Sequence, residues 1–299
     1  MEEETIIIKC DESGKRLDTY ITDKLSGRFS RSQIKRLIDE GRLLVDGDKK
    51  KAHYRLAAKN VIEITLPAAK EEKIAPEDIP LNIIYEDDDI IVLNKEQGVV
   101  VHPAAGNPNH TLVNALLFHT KGKLSHVDSS TRPGIVHRLD KEVSGLMVVA
   151  KNDRAHYALV ECFKKKTIKR RYIAFVHGHM AQDEGVASLP IGRSERDRKK
   201  MAVRFLHSKE ASTKYKVLKR FPEYTKLELE LETGRTHQIR VHMSYMDHPI
   251  IGDAKYGGGD FKRIALYAAE LTLKHPCTNE LLHFAVDMPA ELKELDGPC

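Results

Sequence analysis

The chain has no tryptophan and only four cysteines, Cys10, Cys162, Cys277 and Cys299, scattered over 299 residues. Their spacing fits neither a zinc cluster nor a disulfide framework, so they read as reduced thiols of a cytoplasmic protein. No apolar run approaches the ~20 residues of a membrane span. The short run Ile6-Ile7-Ile8 follows Glu2-Glu3-Glu4, an acidic start that does not read as a signal peptide. Low-complexity tracts and internal repeats are absent. So is a large charge excess, with 49 Lys and Arg against 44 Asp and Glu for a net +5. These absences exclude membrane-spanning, disulfide-framework and repeat architectures. They leave one large domain, or a large one with a small one.

What is present is locally concentrated charge. Lys164 to Arg171 holds six basic residues in eight, and Arg193 to Arg204 holds six in twelve. Each cluster taken alone is as readily a solvated face as a polyanion site.

The first 66 residues form a self-contained pattern. Leu17, Tyr20, Ile21 and Leu25 recur at helical spacing after Arg16. Ser30-Arg31-Ser32-Gln33 fits a capping box, and the helix it opens places Ile34, Leu37 and Ile38 inward before stopping at Gly41. Arg31 and Lys35 share its exposed face. A strand, Leu43-Leu44-Val45, an Asp46-Gly47 turn and a closing strand, Val61 to Ile64, complete the unit. Three prolines and alternating charges between Pro67 and Pro80 mark a linker, 67–80.

The body, 81–299, reads as α+β around a mostly antiparallel sheet, because strands adjoin in sequence with few crossover helices. Leu227, Leu229 and Leu231 alternate with Glu228, Glu230 and Glu232 in a half-buried strand. Ile90 to Leu93 and Val99 to Val101 are expected as short strands around Gln97-Gly98. Arg154 to Lys166 is expected as a helix with Tyr157, Val160 and Phe163 in its core face. Glu86-Asp87-Asp88-Asp89 reads as an acidic turn rather than a metal site. The fifteen histidines show no zinc-ligand spacing, so no metal is expected.

One stretch carries chemistry: Gly134-Ile-Val-His-Arg-Leu-Asp140, followed by Ser144-Gly145 and the buried-strand run Leu146 to Ala150. A carboxylate at the mouth of a buried strand, with Arg138 two residues before it, can stay ionised while partly shielded from water. Far away, Gly234-Arg-Thr-His-Gln-Ile-Arg240-Val-His242 follows the Leu227 to Leu231 strand and enters a helix. There Arg240 can serve as counter-ion to Asp140, or simply as half of a structural ion pair. Lys169-Arg170-Arg171-Tyr172 runs basic residues into a strand with an aromatic at its start. A tyrosine there can stack on a base, or only pack.

Taken together, His137-Arg138-Leu139-Asp140 with Val143-Ser144-Gly145-Leu146, the Arg171-Tyr172 strand, Pro190 to Arg193, Gly234 to His242, Gly252-Asp253 and Tyr256 to Gly258 resemble the RluA-type family of RNA pseudouridine synthases. Val143 stands where that family has Thr, and Glu96 where it has Pro. The first 66 residues resemble the S4 RNA-binding domain, with Lys59-Asn60 in place of the usual Gly-Asp. The resemblance implies a pseudouridine synthase fold and an isomerase without cofactor. Asp140 is then catalytic, Tyr172 lies against the uracil, Arg240 pairs with Asp140, and Arg138 supports the site. RNA contacts are expected at Arg31, Lys35, Lys169, Arg170, Arg171 and Arg193. The implied partner is structured RNA, most plausibly ribosomal, handled by a monomer. A binding factor that merely keeps the fold is the alternative. A glycoside hydrolase would need a second cooperating carboxylate.

Overall fold

The computed structural model describes residues 4–25, 29, 31–66, 74–104, 106–127 and 132–297. It separates into two compact units, Met1–Glu72 and Lys73–Cys299. In the small unit the order is β1 (Glu4–Lys9), α1 (Leu17–Lys24), α2 (Arg31–Asp39), β2 (Leu43–Val45), β3 (Asp48–Lys49) and β4 (Val61–Leu66). Its antiparallel sheet runs β1-β4-β2-β3. The helical spacing does what it predicts: Leu17, Tyr20 and Ile21 of α1 and Ile34, Leu37 and Ile38 of α2 bury against Leu43, Val45, Ile62 and Ile64. Gly41 ends α2 at φ +71°, the left-handed C′ position that a side chain resists. Asp46 and Gly47, both at positive φ, make the tight turn between β2 and β3. Lys59 adopts φ +75°, so the turn usually made by glycine forms here with a lysine. The capping box at Ser30 and Gln33 lies outside the described residues.

The large unit runs β5 (Ile83–Glu86), β6 (Ile90–Lys95), α3 (Leu112–His119), β7 (Ser144–Ala150), α4 (Asp153–Lys164), β8 (Lys169–His177), β9 (Glu184–Ser188), β10 (Ile191–Arg193), β11 (Met201–Val203), β12 (Ser208–Lys209), β13 (Ser212–Arg220), β14 (Tyr224–Leu231), α5 (Gln238–Tyr245), β15 (Leu266–Lys274) and β16 (Leu281–Ala285). Nine strands form one mixed sheet, ordered β5-β6-β7-β15-β8-β14-β13-β9 with β16 also on β15. Among the described residues, β7 and β15 are the strands of this sheet that pair in parallel. β7 is buried along its whole length. Met147 and Val149 face Leu112, Val113 and Leu116 of α3, whereas Leu146, Val148 and Ala150 face Ala155 and Leu159 of α4. That two-sided cover explains its unbroken apolar run. β10 to β12 form a separate three-stranded sheet, and Ile191 packs on Val241 of α5.

Three expectations need correction. Asn152 caps α4 by accepting from Ala155 N, so the helix starts earlier and buries Ala155, His156 and Leu159. The stripe at 155 and 159 meets the sheet, and Tyr157, on the far side, is 60% exposed. Val99 to Val101 is no strand: Val100 makes one isolated bridge to Thr111, which caps α3 in a capping box with Asn114. Residues 74–80, read as linker, are held on the large unit. Asn114 Nδ2 donates to Ala75 O, Glu77 N donates to Asn114 O, and Ile74 packs on the core. Residues 67–73, the rest of that stretch, lie outside the described residues.

Candidate active site

Asp140 sits in the turn that leads into β7. Val143 N donates to Asp140 O at 3.1 Å, and Gly98 N donates to Lys141 O at 2.8 Å. The Nζ of Lys95, at the end of β6, reaches the carbonyls of Glu96 at 2.7 Å, Val99 at 2.9 Å and Lys141 at 3.4 Å. This lysine is 2% exposed, and burial lowers its pKa to about 8 against the pull of Asp140 and Glu142. On the other side of the turn, Ser144 Oγ accepts from Arg263 Nη2 at 2.6 Å. The next residue, Gly145, has φ +120°, and a Cβ there would stand 2.3 Å from Ala268 O on the paired strand. The turn that holds Asp140 is thus clamped by backbone contacts that no side chain at position 145 would allow.

α5 brings the cations. Its entry is fixed by Gln238, whose Oε1 accepts from Thr233 Oγ1 and Arg235 N while its Nε2 donates to Ser212 O and Thr213 Oγ1. His242 joins the same network through Thr213 and Leu189 O. Arg240, 3% exposed, forms a bidentate pair with Asp253, both bonds at 2.8 Å. Its Nη1 lies 3.2 Å from Asp140 Oδ2 and equally 3.2 Å from Glu142 Oε2. Burial alone would disfavour its charge, but the Asp253 contacts and the Asp140 and Glu142 charges outweigh it and raise its pKa. Glu142 is held below the usual carboxylate range: burial opposes this, but a backbone hydrogen bond and Arg240 prevail.

His237 stands at the N-terminus of α5 with φ +56°. Tyr256 Oη accepts from Met201 N at 3.0 Å and is hydrogen-bonded to His237 Nδ1 at 2.7 Å. The other ring nitrogen, Nε2, lies 3.9 Å from Asp140 Oδ2. Burial keeps the imidazole neutral by lowering its pKa, though Asp140 pulls the other way. Among the described residues, Asp140 Oδ1 makes no hydrogen bond, which leaves one carboxylate oxygen available to a substrate.

Tyr172 comes from β8, 5% exposed, and burial raises its pKa. It lines a small cavity of about 50 Å³ together with Arg138, Asp140, Arg235 and Arg240. An adjoining cavity of about 480 Å³ is also lined by Arg138, Asp140 and Tyr172. Arg138 is exposed, and its Nη1 lies 3.3 Å from Nε2 of buried His102. Burial and the Arg138 and Arg132 charges lower the His102 pKa to about 4, so the imidazole is neutral beside the guanidinium. A third cavity of about 570 Å³ is bordered by Lys95, Ser144, Arg263 and Tyr267 and reaches neither Asp140 nor Tyr172.

The chain has matches among known proteins. Residues 89–245 match the family described as RNA pseudouridylate synthase, and residues 15–62 match the S4 domain. The chain belongs to the RNA pseudouridylate synthase family. It is an isomerase acting on RNA. It is 42% identical over 288 residues to the RNA pseudouridine synthase YlyB of Bacillus subtilis, covering 95% of this chain and 94% of the relative. Identity is also 42% over 308 residues to ribosomal large subunit pseudouridine synthase D of Vibrio cholerae, covering 97% and 93%. Human RNA pseudouridylate synthase domain containing 1 superposes with a TM-score of 0.58 at 27% identity, covering 71% of this chain and 85% of that one.

Within this pseudouridine synthase, Asp140, Tyr172, Arg240 and Arg138 meet around one cleft. The residues expected to touch RNA differ among themselves. Arg31 is exposed but pairs with Asp18 at 2.8 Å, and Lys35 is exposed on α2. Arg171 is paired to Glu228 and Glu270, whereas Lys169 is exposed. Arg193 is exposed at the end of β10. Reading the sequence missed Glu142, His237 as a neighbour of the acid, and Asp253 as the anchor of Arg240. Only the short interval between Asp140 and Glu142 hinted at the first.

The acidic turn at residues 86–89 meets His275, and atoms of Asp87, Asp89 and His275 lie within 4.8 Å of one another. These groups are already engaged. Asp87 accepts from Tyr85, Asp89 N, Ile90 N and His275 Nε2, while His275 Nδ1 accepts from Cys277 N and Thr278 N. With both imidazole nitrogens used, the histidine has no lone pair to offer an ion.

Proposed function

We propose that the chain converts specific uridines of large-subunit ribosomal RNA to pseudouridine, with Asp140 as the catalytic carboxylate. The observation that carries this reading is a carboxylate in a cleft, 3.2 Å from a buried arginine and flanked by a buried tyrosine. The names of relatives such as the Vibrio cholerae enzyme support rRNA as the substrate. In the reaction the C1′–N1 bond breaks, the freed uracil turns, and C5 bonds to C1′. C5 gives up its proton and N1 takes one, so no electrons are exchanged. Asp140 either attacks C1′ or removes the 2′ proton to give a glycal; both routes need its ionised form.

A uridine within structured RNA must leave its stack, at a cost of a few kcal/mol. Tyr172 then offers an apolar face to the uracil and Arg138 occupies space near the vacated position. Arg31, Lys35, Lys169, Arg170, Arg171 and Arg193 are proposed RNA contacts, those already paired to acids being the weaker. The enzyme acts in the cytoplasm as a monomer. A glycoside-hydrolase reading is not favoured: Glu142 does lie by Asp140, but its lowered pKa is the reverse of what a general acid needs. The test is release of tritium from large-subunit rRNA transcribed with C5-tritiated uridine. The proposal expects release in proportion to pseudouridine formed; an intact protein that binds this RNA and releases none overturns it.

A further inference from the structure

The cavity of about 480 Å³ beside Asp140 is larger than a single uracil ring needs, and its outer end has a different chemistry from its floor. Five Lys and Arg residues line it against two acids, Asp140 and Glu232. Arg170 is the most informative of them. Its neighbour Arg171 is neutralised by two glutamates on the other face of β8. Among the described residues no carboxylate pairs with Arg170. Its guanidinium lies over the Phe163 ring, 5.3 Å from the centroid, and Phe163 is in turn packed on His137 at 4.9 Å. Among the described residues its acceptor is Leu231 O, at a long 3.4 Å. Gly234 keeps the opposite wall open: a Cβ there would come within 3.3 Å of Arg170 Nη1.

Two buried nitrogens in this wall, His137 Nδ1 and Arg170 Nε, have no hydrogen-bond partner. His137 Nε2 accepts from Val148 N, so in the neutral ring Nδ1 bears hydrogen. Both are therefore donors lacking an acceptor, a rare state for buried groups. A cationic fork held over an aromatic ring, without an acid partner among the described residues and with more donors nearby, is matched to phosphate oxygens.

We propose that the outer end of this cavity is a phosphate subsite for the nucleotide next to the target uridine, with Arg170 as the binding residue and Phe163 as the residue that positions it. The inference rests on the reading of Asp140 as the uridine site. It separates Arg170 from the rest of the basic cluster: Arg170 grips the strand beside the reacting nucleotide, whereas Arg171 is spent on the fold.

The experiment uses the full chain and a large-subunit rRNA transcript, measuring Kd by filter binding between about 50 and 200 mM salt together with tritium release at saturating RNA. Arg170→Gln should weaken binding about tenfold and make the plot of log Kd against log salt shallower by about 1. Arg170→Lys should restore the slope, which separates lost charge from misfolding. Phe163→Leu should keep the slope but lose part of the affinity. An unchanged slope in Arg170→Gln, or Arg170→Lys behaving like Arg170→Gln, overturns the subsite. If the wild type binds yet releases no tritium, the functional reading fails while the slopes still decide the subsite.

Discussion

At the scale of single residues, the site works by burying Arg240 and Lys95 near a carboxylate and giving each of them acceptors. Lys95 gives this a measurable consequence. Burial lowers its pKa from 10.5 to about 8. Between those values the unfolded chain holds the proton that the folded chain has released. The contribution of Lys95 to stability therefore rises with pH across that window, and below it the folded state bears the full cost of the buried charge, roughly 3 kcal/mol. Urea unfolding at pH 7.5 and pH 10 should show the wild type gaining on Lys95→Met by up to that amount; parallel behaviour of the two proteins would rule the explanation out. The buried histidines act in the acid range. His102 has its pKa lowered to about 4, so it costs stability as pH falls from about 6.5 toward 4. The sequence made Asp140, Tyr172 and Arg240 legible because each sits in a distinctive local string. Asp253 and His237 were not legible as partners, because their roles depend on contacts that only the folded chain creates.

At the scale of elements, the parallel pairing of β7 with β15 decides where Asp140 stands. Tyr267 registers with Ser144 and Ala268 with Gly145, immediately after the turn that holds the acid. Gly145→Ala would place a methyl against Ala268 backbone at a φ that alanine resists. A loss of about 3 kcal/mol or more is expected in chemical denaturation, together with lower activity. Little or no destabilisation would mean that the two strands can part without cost. Strong periodicity made α1, α2 and β14 readable in advance. The phase of α4 was not, because its inward stripe is Ala155 and Leu159, less conspicuous in sequence than Tyr157. Val99 to Val101 misled for a related reason: three apolar residues pack on the core without joining a ladder.

At the scale of the whole molecule, the two units each have their own apolar core, and the sequence announced both. The boundary was harder, because Ile74 to Pro80 has the composition of a linker yet is tied down by Asn114, a residue about 40 positions on. Two independent cores predict that residues 73–299 alone should melt cooperatively. Loss of the S4 domain should weaken RNA binding by at least about tenfold near 150 mM salt, as removal of several phosphate contacts implies. Affinity equal to that of the full chain would place RNA recognition entirely in the large unit.

The most direct test compares wild type with Asp140→Asn in single-turnover tritium release and RNA binding on the same large-subunit rRNA transcript. The amide preserves shape and removes the charge that Arg240 faces. The predicted result is a rate at least about 1,000-fold lower with Kd changed by no more than about twofold. Tritium release at a rate close to wild type, or loss of RNA affinity in step with activity, would contradict the assignment of Asp140 as the catalytic carboxylate.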